Sequence, residues 1–134
     1  MKKKQVFSSL FFSIACISFL MFFSCGKKNA GTSDLVLPDG FSASVVAESV
    51  GSGRHIVLNA NGDIYVSLKS LKNGGGIAAL RDTNGDGKAD IIRYFGKYTG
   101  TGIGIHNGYL YFGSDSMIVR YKLHENQLIP DTTP

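Results

Sequence analysis

Tryptophan is absent from this chain, and cysteine occurs only twice, at Cys16 and Cys25. Both cysteines belong to the N-terminal apolar run or its immediate border, so the rest of the chain has no thiol pair and a disulfide-stapled fold is excluded. Helical patterning is missing too. After residue 24 no stretch repeats apolar residues at the spacing of one helix face. A surplus of positive charge is lacking once the first residues are set apart. The whole chain has 14 Lys and Arg against 10 Asp and Glu, but Lys2, Lys3 and Lys4 precede the apolar run, and without them the balance is 11 to 10. No basic stripe is left to track a phosphate backbone, which argues against nucleic acid as a partner.

What is present at the N-terminus points to export. Lys2-Lys3-Lys4 is a basic start, Val6 to Phe23 is almost continuously apolar, and Ser24-Cys25-Gly26 ends the run on small residues. These are the parts of a secretory signal peptide. Cys25 between two small residues looks like a lipoprotein cleavage site, where the thiol takes a lipid and becomes the new N-terminus. Phe22 and Phe23 depart from the usual residues before such a cysteine. An uncleaved anchor and plain secretion are the other readings, since the apolar run is close to the roughly 17 residues of a minimal span. The expected organisation is a lipoprotein signal peptide over 1–24, a polar tether over 25–34 and one small domain over 35–134. The expected location is the periplasmic side of the cell envelope, at the outer membrane.

The domain has the composition of short strands and many turns, with 17 glycines in the chain and aromatics that are mainly Tyr and Phe. Phe41 to Ala47 alternates and predicts a strand. His55 to Leu58 and Asp63 to Leu68 flank Asn59-Ala60-Asn61-Gly62, and Asn-Gly between two such runs predicts a hairpin with a type I′ turn. A Gly-rich loop, Asn73 to Gly76, precedes a strand at Ile77 to Arg81, and Ile91 to Phe95 completes four antiparallel strands. Then the pattern recurs: Asn61-Gly62 and Asn107-Gly108 stand 46 residues apart, and Ile64-Tyr65-Val66 matches Leu110-Tyr111-Phe112. Met117 to Tyr121 repeats the role of Ile77 to Arg81. Four strands per repeat of 40–50 residues is the pattern of a propeller blade. The fold class read here is all-β, about one and a half blades. With so few repeats, strand edges and an apolar face are expected to lie open.

One turn has a chemistry of its own. Asp82, Asn84, Asp86 and Asp90 take positions 1, 3, 5 and 9 of a Ca²⁺ loop, with Gly87 at 6 and the Lys88 carbonyl at 7. Position 12 is Arg93 where such loops have Glu, and strands flank it where helices are usual. Asn, Asp and Gly also build long hairpin turns that need no ion. Both readings stand.

The order of motifs resembles a known family. Leu37-Pro38-Asp39-Gly40-Phe41, Gly53-Arg54-His55-Ile56, Asn61 to Val66, Gly75 to Asp90 and Gly100 to Ile103, taken together, are similar to the N-terminal section of the sorbosone dehydrogenase-like, soluble glucose dehydrogenase-type proteins. The resemblance implies the opening of a six-bladed propeller. It also implies oxidation of sugars or sugar aldehydes by pyrroloquinoline quinone, a Ca²⁺ on the quinone and a separate electron acceptor. The family's catalytic histidine lies on later blades, so no catalytic residue is assigned among His55, His106 and His124. The cofactor bears three carboxylates, and an Arg at an inner strand end suits carboxylate recognition. Arg54 and His55 open the first repeat, and the offset of 46 places Gly100 and Thr101 at the equivalent positions. Arg54, His55 and Thr101 are therefore the candidate cofactor contacts. A non-catalytic propeller lipoprotein, or a truncated remnant, that presents a binding face is the alternative.

Overall fold

The computed structural model describes residues 35–131. The segments expected to be a signal peptide, a lipidation site at Cys25 and a tether lie outside the described residues. The described chain is all-β: β1 (Gly53–Leu58), β2 (Ile64–Lys72), β3 (Gly75–Arg81), β4 (Ile91–Phe95), β5 (Gly100–His106), β6 (Tyr109–Ser114) and β7 (Ile118–Lys122). They form two antiparallel sheets in sequence order, β1 to β4 and β5 to β7. The alternating patterns read from the sequence are the cause. In β7, Val119 and Tyr121 are buried while Ile118, Arg120 and Lys122 are exposed, the period-2 pattern of a half-buried strand.

The predicted strand at Phe41 to Ala47 does not form. That segment is irregular, with Phe41 73 % exposed. Its alternation is genuine, but a strand's backbone groups need a neighbouring ladder. Here the Val46 carbonyl accepts one bond, from the Ala89 amide at 2.8 Å.

The turns also differ from expectation in an instructive way. Asn107 and Gly108 both have positive φ, 47° and 75°, as a type I′ turn requires. At Asn61-Gly62 only Gly62 does, at 91°. The Gly62 amide bonds to the Asn59 carbonyl at 3.0 Å and the Asn59 amide to the Asp63 carbonyl at 2.8 Å, so this turn holds one residue more than its counterpart. Asn73 and Gly74, read from sequence as part of a loose loop, form another tight turn with φ of 48° and 79°. This leaves Gly75 and Gly76 inside β3. A Cβ on Gly76 would run into the Tyr98 carbonyl, so the backbones there approach too closely for any side chain.

The sheets stack face to face. Tyr65, Ile77, Ala79 and Phe95 from the first meet Leu110, Phe112, Val119 and Tyr121 from the second, and Leu128 closes the same cluster. Phe95 stands edge-on to Tyr65 and to Tyr121, with centroids 6.1 and 5.4 Å apart. The Tyr65 hydroxyl donates to the Leu128 carbonyl at 3.0 Å, and burial pushes its pKa up to about 12. The outer face of the first sheet holds a smaller cluster of Val66, Leu68, Ala78 and Leu80, against which Ala47 and Val50 pack.

Candidate functional site

Each sheet begins with a bulge at the same place. In the first, Gly53 pairs with Leu68 and His55 with Ser67, leaving Arg54 as the extra residue. In the second, Gly100 pairs with Ser114 and Gly102 with Gly113, leaving Thr101. A bulge turns its extra residue out of the ladder and re-aims its side chain. Both are re-aimed to one spot, where Arg54 Nη1 donates to Thr101 Oγ1 at 2.6 Å.

The structure thus joins two of the three candidate cofactor contacts, with a register correction. The sequence offset of 46 pairs Arg54 with Gly100 and His55 with Thr101. The observed offset is 47, Arg54 with Thr101. The extra residue in the Asn59 to Asp63 turn is the cause, because it shifts the strand before it but not the strand after it. His55 stands one step past the bulge, exposed, opposite Ser67.

Ser67 was not singled out from the sequence, yet it locks the two bulges together. It is fully buried and accepts from the His55 amide at 3.1 Å. Its single proton can serve the Thr101 carbonyl at 3.1 Å or the His55 carbonyl at 3.3 Å. One hydroxyl therefore bridges β1, β2 and β5, and the exposed guanidinium stands on a rigid base.

A second polar group also escaped the sequence reading. Asp63, 1 % exposed, accepts from Arg81 Nε and Nη2, both at 2.6 Å, and from Asn61 Nδ2 at 2.9 Å. Arg81 Nη1 extends to the Asn126 carbonyl of the segment after β7, at 3.3 Å. Ile64 pairs with Leu80, which brings Asp63 and Arg81 to the same sheet end. Opposite charges at the first residue of one predicted strand and the last of another were the available signal. The other histidines are remote: His106 ends β5 beside a turn, and His124 Nε2 meets Asp131 Oδ2 at 2.9 Å.

The acidic turn closes on itself. Asp82 accepts from the amides of Gly85 at 2.7 Å, Gly87 at 2.8 Å and Asn84 at 3.1 Å. Asn84 accepts from the Asp86 amide, and Asp86 from the Lys88 amide. Asp90 accepts from both the amide and the hydroxyl of Thr83, each at 2.7 Å. Gly85 and Gly87 supply the positive φ, 79° and 82°. Among the described residues no three His, Cys, Asp or Glu side chains are grouped around a metal position.

These bonds favour the ionised carboxylates. The Gly87 and Gly85 amides hold Asp82 below its ordinary 3.8, and the Thr83 hydroxyl and amide do the same for Asp90. A depressed folded-state pKa contributes stability above the unfolded value and loses it as pH falls through the folded one. The Gly85 and Gly87 amide resonances are expected to titrate with a midpoint under 3.8. A midpoint at or above it would show that the turn is not held this way.

Compared with family models, curated proteins and solved structures, the chain has no match.

Proposed function

We propose that this chain forms the opening, about one and a half blades, of an exported, lipid-anchored β-propeller dehydrogenase that oxidises sugars or sugar aldehydes with pyrroloquinoline quinone. The observation that carries the reading is the pair of equivalent bulges, which bring Arg54 and Thr101 side by side at the heads of β1 and β5. An exposed guanidinium with a hydroxyl beside it is a donor set for a carboxylate, and the quinone carries three. The group fits these residues. When bound, the quinone supplies the two-electron oxidising power; Arg54 and Thr101 bind and orient it, with Ser67 holding both strands still.

The base that takes the substrate proton comes, in this reading, from blades outside the described residues. Ca²⁺ remains part of the proposal at the acidic turn, where Asp82, Asn84, Asp86, Asp90 and the Lys88 carbonyl supply oxygens. Asp90 would first have to release Thr83. The electron acceptor and the membrane attachment through Cys25 belong to the same proposal. The competing reading, a non-catalytic lipoprotein with a binding face, draws on Tyr109 and Tyr111, which lie side by side on the outer face of the second sheet with centroids 6.4 Å apart.

The test is a quinone titration. Arg54→Ala removes one charge-assisted contact, about 1.5–3 kcal/mol, or on the order of ten- to a hundredfold in quinone affinity. In a propeller carrying this segment, equal quinone demand by the variant and its parent would refute the cofactor role. It would favour the binding-face reading.

A further inference from the structure

Asn-Gly occurs four times in the chain, at Asn61, Asn73, Asn84 and Asn107, and in each pair both residues are exposed and lie in a turn. The dipeptide is chemically reactive. The amide nitrogen after an asparagine can attack the side-chain carbonyl carbon, and glycine, with no Cβ, obstructs that approach least. Hydrogen bonding separates the four. Two are held at both reacting ends. The Gly62 amide donates to the Asn59 carbonyl at 3.0 Å, while Asn61 Oδ1 accepts from the Asp63 amide at 3.1 Å and Asn61 Nδ2 donates to Asp63 Oδ2 at 2.9 Å. The Gly85 amide donates to Asp82 Oδ1 at 2.7 Å. Asn84 Oδ1 accepts from the Asp86 amide at 2.9 Å and Asn84 Nδ2 donates to Asp90 Oδ1 at 3.2 Å. The other two are bare. Asn73 and Asn107 open two-residue turns at φ of 48° and 47°, with Gly74 and Gly108 following at 79° and 75°. Among the described residues, nothing bonds the carboxamides of Asn73 and Asn107 or the amides of Gly74 and Gly108.

We propose that Asn73 and Asn107 are sites of spontaneous deamidation, and that their hydrogen bonds protect Asn61 and Asn84 from it. The step needs water and no other reactant. The glycine nitrogen bonds to the asparagine Cγ, the Cγ–Nδ2 bond breaks, and Nδ2 leaves as ammonia with the proton that the glycine amide gives up. Water then opens the cyclic imide at either carbonyl, leaving aspartate or isoaspartate. Closing the ring rotates the asparagine backbone out of its turn shape, so each turn must open before it reacts. At Asn73 and Asn107 only the flanking strand ladders resist. At Asn61 and Asn84 the local bonds must break as well.

The product alters the turn that made it. Aspartate adds a negative charge at the tip. Isoaspartate also lengthens the main chain by one methylene, and a two-residue turn with positive φ at both residues has no slack for it. At Asn107 the effect reaches further. The Gly108 carbonyl accepts from the Leu123 amide at 2.9 Å, which anchors the start of the segment that carries Leu128 into the core. Both turns stand at sheet ends, joining β2 to β3 and β5 to β6. Blades pack through their faces, so these ends stay in solvent in a complete propeller.

Incubating the full chain in heavy-oxygen water at mildly alkaline pH, then mapping peptide masses, reads each site separately, because the label enters only as the imide opens. Asn73 and Asn107 should convert on the order of tenfold faster than Asn61 and Asn84, the factor that one or two extra hydrogen bonds impose. In urea the four rates should converge. Asp82→Ala frees the Gly85 amide and should speed Asn84 while leaving Asn73 and Asn107 unchanged. Four equal rates in the folded chain, no conversion at Asn73 and Asn107, or an Asn84 rate unmoved by Asp82→Ala would each overturn the proposal. The quinone takes no part in this chemistry, so either idea can fail without the other.

Discussion

Replacing Asp63 with alanine is expected to destabilise the domain by about 3 kcal/mol, the lower end of the range for breaking a buried ion pair. The carboxylate is 1 % exposed and takes two bonds from one guanidinium, so its removal leaves Arg81 and Asn61 Nδ2 without their acceptor. The lower end applies because the Arg81 side chain is 23 % exposed and water can reach part of it. The loss comes from the orphaned charge more than from the missing attraction. Asp63→Ala combined with Arg81→Met should therefore recover most of the stability, since neither charge remains. Urea unfolding of the two variants measures both quantities. If the double variant is as unstable as the single one, the pair contributes through its attraction, and the orphaned-charge argument fails.

That ion pair shows what the sequence could and could not reveal. All seven strands lie on runs whose alternation or β-branched content marked them in advance, although β2 runs four residues past its predicted end at Leu68 and β7 stands one residue later than Met117 to Tyr121. Asp63 was read as the first residue of a strand, and Arg81 as the last of another. Their union depends on register, and register depends on how many residues each turn holds. The same dependence explains the shift at the candidate site. Asn61-Gly62 and Asn107-Gly108 look alike as dipeptides, but one belongs to a turn with an extra residue, and that residue moved Arg54 from Gly100 to Thr101. Local preference reports which turn a pair of residues favours. It does not report how the flanking strands use it.

Phe41 to Ala47 failed for a different reason. Its pattern is as good as that of β7, yet pattern describes only the side chains, and a strand is completed by a neighbour's backbone. Ser67 was silent altogether. A serine within an apolar strand looks like any other, and its role appears only when two bulges and a third strand converge on its hydroxyl. The acidic turn was visible to the residue, because its spacing serves a hydrogen-bonded turn and an ion site equally well.

Phe112→Ala is expected to have the largest effect of any single substitution, about 3–5 kcal/mol. The ring is 1 % exposed, at the centre of the core that joins the sheets, with Ile103 and Val119 as its cross-strand neighbours. It also lies under the second bulge. A Cβ on Gly100 would come within 2.9 Å of Phe112 Cζ, so the ring fills the space that the glycine leaves. Truncating it removes buried apolar surface and opens a cavity that the stiff two-sheet stack cannot close. Small domains have only about 5–15 kcal/mol of net stability, so this loss would leave the variant near its unfolding threshold. The bulge at Thr101 rests on the same ring, and the Arg54–Thr101 bond should loosen with it. Thermal unfolding gives the first effect, and exchange of the Thr101 and Gly102 amides gives the second. A loss below about 1 kcal/mol would place the substitution among ordinary surface changes and would mean that the two sheets do not share this core.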